Sequence, residues 1–219
     1  MATAPVPGAV GRPRGAHPID VAVSRPAEPI ADALDERAVV AAVLDGNREA
    51  FRQLVDREAA TVVRVCQRIL GDRHEAEDAA QEAFVTAYRS LTTWRGEGTF
   101  GAWLSRIAVR IALRQASRRR TVAWIDPMSP DDASLAPAGA VSAADPATLA
   151  LRAERSVGIR SAVARLDEPY RETVALRFFA ERSLAEIAEQ TGRPLGTVKT
   201  HLHRGLQRLR LELGEGFDR

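Results

Sequence analysis

The sequence predicts an all-α chain of two small helical domains joined by a flexible linker. Three observations carry that expectation. Apolar residues recur at three- and four-residue intervals through most of the chain. No stretch shows convincing strand alternation. One segment, 122–147, abandons the helical period for Ala, Pro, Ser and Asp and divides the periodic chain in two. With 219 residues, 45% of them apolar and 27% charged, the chain can bury a core in one or two domains. Collagen-like, repeat and wholly disordered chains are excluded.

Residues 1–31 are rich in Pro, Ala and Gly and are expected to be a disordered extension. They lack the apolar core of a signal peptide. The first domain is expected over 32–121. Its first helix carries Leu34, Val39, Val40, Val43 and Leu44, and Gly46 and Asn47 are expected to close it. A longer second helix carries Phe51, Leu54, Val55, Val62, Val65, Cys66 and Ile69, and Gly71 stops it. Asp72 is the expected N-cap of a third helix, Arg73 to about Leu91. A loop with Gly96 and Gly98 leads to a fourth, from near Thr99 toward Arg119. Four such helices make a bundle.

After the linker, helical period resumes at Leu149 in a domain expected over 148–213, with 214–219 as a tail. Asp167 is the expected N-cap of the next helix, with Pro169 in its first turn. Ser183-Leu184-Ala185-Glu186 is a capping box, and Gly192 suits the positive φ of a tight turn. Val198, Leu202, Leu206 and Leu209 then form one apolar face. The spacing Ala188, Gly192, Val198 is that of a helix-turn-helix: a close crossing, a turn, and a β-branched residue packing back. Thr200, His203, Arg204 and Gln207 face away from the apolar stripe and can reach a DNA groove. Arg193, Lys199 and Arg208 suit phosphates.

The formal net charge of +2 hides an uneven distribution. Arg106, Arg110, Arg114, Arg118, Arg119 and Arg120 fall in one stretch without an acid, and Asp126, Asp131, Asp132 and Asp145 follow where no Lys or Arg stands. Trp94, Phe100 and Trp103 precede or open the arginine run. Rings beside cations suit single-stranded DNA, whose bases stack while its phosphates are held. The alternative is that Phe100 and Trp103 are core and the arginines solvated; for Trp103, inside the apolar stripe, core is favoured, and for Trp94, in the loop, both readings stay open. Glu75, Glu77, Asp78, Gln81 and Glu82 crowd the start of the third helix, where dipole complementarity alone would place acids.

Four segments carry a family likeness: Asp78-Ala79-Ala80-Gln81-Glu82-Ala83-Phe84, Phe100-Gly101-Ala102-Trp103-Leu104-Ser105-Arg106-Ile107-Ala108, Leu166-Asp167-Glu168-Pro169-Tyr170-Arg171, and Gly196-Thr197-Val198-Lys199-Thr200-His201-Leu202-His203-Arg204. In this order, split by a linker, they resemble the extracytoplasmic-function (ECF) class of bacterial sigma-70 family sigma factors. The resemblance spans about Val39 to Arg210. It implies that the first domain is region 2 and that Asp78, Gln81 and Glu82 dock on the clamp helices of the β′ subunit of core RNA polymerase. It implies a minus-ten DNA surface at Trp94, Phe100, Arg106, Arg110, Arg114, Arg118 and Arg119. Region 4 would read the minus-thirty-five element through Arg193, Thr197, Lys199, Thr200, His203, Arg204 and Gln207 and touch the β flap. The acidic linker would pass through polymerase near its cleft and RNA exit path. An anti-sigma partner and a cytoplasmic location are implied as well. Where the family often has Asn and Asp downstream of the Arg-Ile-Ala run, this chain has Arg110 and Arg114, which implies a stronger phosphate component.

No cofactor and no metal centre are expected. Cys66 is the sole cysteine, and His201 and His203 lie in the other domain. No run of about 18 apolar residues predicts a membrane span. A helical enzyme would need a nucleophile–base or metal constellation that the sequence lacks. An operator-binding helix-turn-helix regulator is the main alternative, and it would need neither the acidic helix nor the aromatic–basic one.

Overall fold

The computed structural model describes residues 30–125 and 146–214. The expectations of disorder for most of 1–31, of a flexible centre in the linker, and of a tail from 215 onward lie outside the described residues. What is described is all helix apart from turns and short connections.

The N-terminal group contains α1 (Ile30–Leu44), α2 (Arg48–Leu70), α3 (Arg73–Arg89), a 3-10 turn (Leu91–Thr93) and α4 (Phe100–Ile125). The C-terminal group contains α5 (Pro146–Arg165), α6 (Tyr170–Phe178), α7 (Leu184–Thr191) and α8 (Leu195–Leu213). In the first group α2, α3 and α4 pack on one another. Their contact is built from small residues on α3: Ala76, Ala79, Ala80, Ala83 and Ala87 are all buried. Such a surface lets neighbouring helices approach closely, and Leu54, Val62, Cys66, Leu104 and Val109 fill the space between.

Helix ends follow local chemistry. Gly46, at φ +98°, and Asn47 close α1 as expected: their amides donate back to the Val43 and Ala42 carbonyls at 3.0 and 2.9 Å. Asn47 is also the N-cap of α2, its Oδ1 accepting from the amides of Glu49 and Ala50 at 3.1 and 3.2 Å. Gly71 ends α2 in the left-handed region, and Asp72 then caps α3, accepting from the Glu75 amide at 2.9 Å. That bond holds the Asp72 carboxyl below its ordinary range. Helix α4 continues past Arg119 to Ile125, into residues expected to belong to the linker. No Gly or Pro interrupts it before Pro127. Helix α5 begins at Pro146, where the ring suits a first helical position.

Asp167 is not the cap of α6. Its Oδ2 accepts from Arg208 on α8 at 3.0 Å. The first amides of α6 turn to the Asp167 carbonyl, which accepts from Arg171 at 3.1 Å, to the Glu168 carboxylate, which accepts from Glu172 at 3.2 Å, and to the Pro169 carbonyl, which accepts from Thr173 at 3.3 Å. The capping box on α7 is complete: Ser183 Oγ accepts from the Glu186 amide at 3.2 Å, and the Ser183 amide donates to Glu186 at 2.8 Å. Gly192 has φ +65°. Gly205 is buried where α8 crosses α6, and a Cβ there would stand 2.7 Å from a Val174 methyl. Glycine is thus needed for the close approach of two helices.

The two groups do not stand apart. Helix α4 packs on α5, α6 and α7, and the buried side chains of both groups form one continuous cluster.

Candidate nucleic-acid interface

Helix α4 is positioned from its first residue. Glu36 of α1 is buried, and its carboxylate accepts from the Phe100 amide at 2.7 Å and from Arg57 at 2.5 Å. A buried carboxylate so paired caps the helix and fixes its start against α1 and α2. Phe100 is wholly buried, with Trp94 edge-on at 6.2 Å and Trp103 tilted against it at 5.6 Å. This corrects the expectation that Phe100 lies on the minus-ten surface: a ring enclosed on all sides has no free face for a base. Trp103 is half-buried against the core, as favoured from its place in the apolar stripe. Trp94 is half-buried, with its indole Nε1 enclosed.

The α4 arginines are engaged. Arg114 donates to Glu82 of α3, whose other oxygen accepts from Gln115 at 3.1 Å. Arg119 donates to Glu75 at 3.0 Å. These bonds stitch the acidic face of α3 to the basic face of α4. Glu82 is therefore half-buried in a bonded seam, whereas Asp78 and Gln81 are exposed on the same helix. Arg118 is exposed on α4.

Arg106 and Arg110 reach the other way, across the boundary between the groups. Both donate to Oε1 of Glu172 on α6, at 2.9 and 2.8 Å. Arg193, just past the helix-turn-helix glycine, donates to the same carboxylate's Oε2 at 3.3 Å. Arg106 also donates to the Gln190 carbonyl at the end of α7. Glu172 is only 4% exposed. Burial pushes its carboxyl up, but Arg106 and Arg110 outweigh burial and hold it below the ordinary range. Nearby, Arg182 donates to the Gly101 carbonyl at 3.1 Å and to Ser105 Oγ at 2.8 Å. Arg68 of α2 donates to the Phe179 carbonyl at 3.1 Å and pairs with Glu181 at 2.8 Å. Neither Glu172 nor Glu36 was singled out in the sequence, where each reads as an ordinary surface acid.

Helix α8 presents a different surface. Val198 and Leu209 are buried, Leu202 and Leu206 partly so, and the opposite side is bare. Lys199, Thr200, His203, Arg204 and Gln207 are all exposed there, with Thr197 half-buried at the edge. Arg208 is committed to the fold: besides its bond to Asp167, it lies 4.3 Å above the Tyr170 ring. His201 packs edge-on against the same ring at 5.8 Å. Its pKa is lowered by desolvation and by the positive charges of Arg193 and Arg204. A row of polar and basic side chains on a rigid helix, opened by a capped turn, has the shape and chemistry to enter a major groove.

No helix among the described residues is long and apolar enough to cross a membrane.

Comparison with known proteins follows the same division. Residues 54–122 match the family model for Sigma-70 region 2, and residues 156–209 match that for Sigma-70, region 4. The chain is 33% identical over 173 residues to the ECF RNA polymerase sigma factor SigW of Bacillus subtilis, covering 78% of this chain and 92% of that protein. It is 30% identical over 179 residues to the ECF RNA polymerase sigma-E factor of Escherichia coli, covering 80% and 92%. Among solved structures, CnrH in complex with the cytosolic domain of CnrY shares the fold, with a TM-score of 0.52 at 24% identity over 81% of this chain and 96% of that one. A region 2 and a region 4 in order, on helices arranged this way and with relatives matched over nearly their whole length, place this chain in the ECF class of the sigma-70 family, as a sigma factor that directs RNA polymerase to promoters.

Proposed function

We propose that this sigma factor divides its work between two surfaces: a region 2 surface, over 32–121, that docks on polymerase and opens the minus-ten element, and a region 4 surface, over 148–213, that reads the minus-thirty-five element. The observation that carries this reading is the bare outer face of α8, with Thr200, His203, Arg204 and Gln207 exposed behind a buried apolar stripe. Arg204 is the best placed of these for a base edge, and Lys199 for a phosphate.

On region 2, Asp78 and Gln81 form the exposed part of the polymerase contact on the β′ clamp helices, with Glu82 behind them. Arg118 is open to a DNA strand, and Arg106, Arg110, Arg114 and Arg119 join it when their present carboxylate partners give way. Trp94 is the ring at the edge of this surface, and Phe100 supports it from beneath. The protein acts in the cytoplasm, without catalysis, cofactor or metal of its own. Its partners are core polymerase through the clamp helices and β flap, promoter DNA, and an anti-sigma protein of the kind the family resemblance implies.

The test uses Asp78→Arg, which reverses an exposed charge without disturbing the Glu82–Arg114 seam. Affinity for core polymerase should fall about tenfold or more, as expected when like charges meet at an interface, with helicity unchanged. Unaltered affinity would refute the docking surface.

A further inference from the structure

If the two regions read two promoter elements, the arrangement seen here cannot be the one that reads them. The elements' own names put them roughly 25 base pairs apart, about 85 Å at about 3.4 Å per pair. Yet Arg106 and Arg110 of region 2 and Arg193 of region 4 converge on the two oxygens of one carboxylate. The regions must part before both elements are held. The intervening segment 126–145 has a contour of at most about 70 Å, which together with the widths of the two regions themselves lets them do so.

Glu172 is what the three cations share. It sits on α6, buried to 4% exposure, and supplies an anionic pair of oxygens where a DNA strand would supply a phosphate. Three guanidiniums around one carboxylate leave an excess of positive charge at the seam. Such an excess is stable beside an acid and more stable beside a polyanion. Arg182 adds bonds to uncharged acceptors across the same boundary, Ser105 and the Gly101 carbonyl, so the contact has geometry as well as charge.

We propose that Glu172 is an internal phosphate mimic: in the free chain it clasps region 4 onto the minus-ten helix of region 2, and DNA binding by that helix requires its displacement. This rests on the two-surface reading given above. The clasp holds Arg193 of region 4 as well, but the outer face of α8 stays exposed. Free sigma factor then binds single-stranded DNA poorly, and polymerase, by holding the regions apart, releases the arginines for the strand.

The full chain tests this with labels at R52C and L211C, both on exposed positions, 71% and 85%. Cys66 is buried, with its thiol pushed up to about 12 by burial, and stays unlabelled. Pulsed electron-spin distances should be short and narrow in this background and become long and broad in Glu172→Gln. Affinity of the unlabelled Glu172→Gln chain for short mixed-sequence single-stranded DNA should rise about tenfold, on the scale of a freed charge-assisted contact. Glu154→Gln, the same charge change on the exposed surface of α5, should alter neither. A broad distribution in the parent, or an unchanged one in Glu172→Gln, overturns the clasp. Opening without tighter DNA binding overturns the phosphate-mimic role, as does an equal gain in Glu154→Gln. Should Glu172→Gln fail to fold, Arg106→Gln with Arg110→Gln removes the clasp from the other side, and the same lengthening is required. Transcription with core polymerase is scored separately: its absence with an intact clasp condemns the two-surface reading, and its presence without one condemns only the clasp.

Discussion

Helices α4 and α8 both carry arginines toward nucleic acid, but they hold them differently. On α4, Arg106 and Arg110 are tied to Glu172, Arg114 to Glu82 and Arg119 to Glu75. On α8, Lys199 and Arg204 stand exposed, and Arg208 alone is bound back into the fold. The difference teaches that a run of arginines does not by itself make an open nucleic-acid surface. The acids that face it decide. Helix α4 keeps Arg106, Arg110, Arg114 and Arg119 in reserve and leaves Arg118 exposed, whereas α8 displays Lys199 and Arg204.

Four expected outcomes test that contrast. The largest concerns Phe100, whose ring is enclosed by the region 2 core. Phe100→Ala should cost about 3–5 kcal/mol of unfolding free energy in a denaturant titration, as for a buried aromatic removed from a core. A loss confined to DNA binding, with stability intact, would return Phe100 to the minus-ten surface. Next, Arg204→Ala should cost about 1–3 kcal/mol in minus-thirty-five-dependent initiation, with unfolding unchanged, because this side chain touches water. An equal loss on every promoter sequence would make it a phosphate contact. Third, Ser183→Ala removes one half of the capping box and should destabilise the chain by about 1 kcal/mol, a typical N-cap loss. No shift in the unfolding midpoint would mean that α7 is held by packing alone.

The smallest effect is in pH. His201 has a lowered pKa, so its contribution to α8 packing is present above its ordinary 6.5 and drains away as pH falls through the lowered value. Glu172 is also held low, so the seam keeps its full contribution above 4.5 and weakens only below that. Amide exchange should therefore loosen in α8 at a higher pH than at the α4–α6 seam. The reverse order would contradict the assigned charge states.

Much of the fold was legible because its signals are local. Asp72, Ser183, Glu186, Gly71 and Gly192 act within a few residues of themselves, and each caps or turns the chain as its chemistry requires. The outer face of α8 was legible for the same reason: one helical period separates the buried Val198 and Leu209 from the exposed Arg204. The acids that organise the site were not. Glu36 meets partners 21 and 64 residues away, and Glu172 meets Arg106 and Arg110 at 66 and 62 residues. Nothing in the spacing around a carboxylate distinguishes a buried clasp from a solvated surface. Phe100 shows the same limit. Its neighbours in sequence allowed either a core ring or a stacking ring, and the capping Glu36 with the flanking Trp94 and Trp103 decides for the core. Asp167 was misread for a related reason: its carboxylate serves Arg208, 41 residues away, and not the helix it precedes.

The most direct measurement of the two-surface account is reconstituted transcription with the purified chain, core bacterial RNA polymerase and genomic fragments, with RNA starts mapped. The account predicts discrete new starts that share two upstream elements, lost for Asp78→Arg with polymerase binding and for Arg204→Ala in dependence on the upstream element. No starts and no polymerase binding, together with tight operator-like DNA binding by the chain alone, would contradict it.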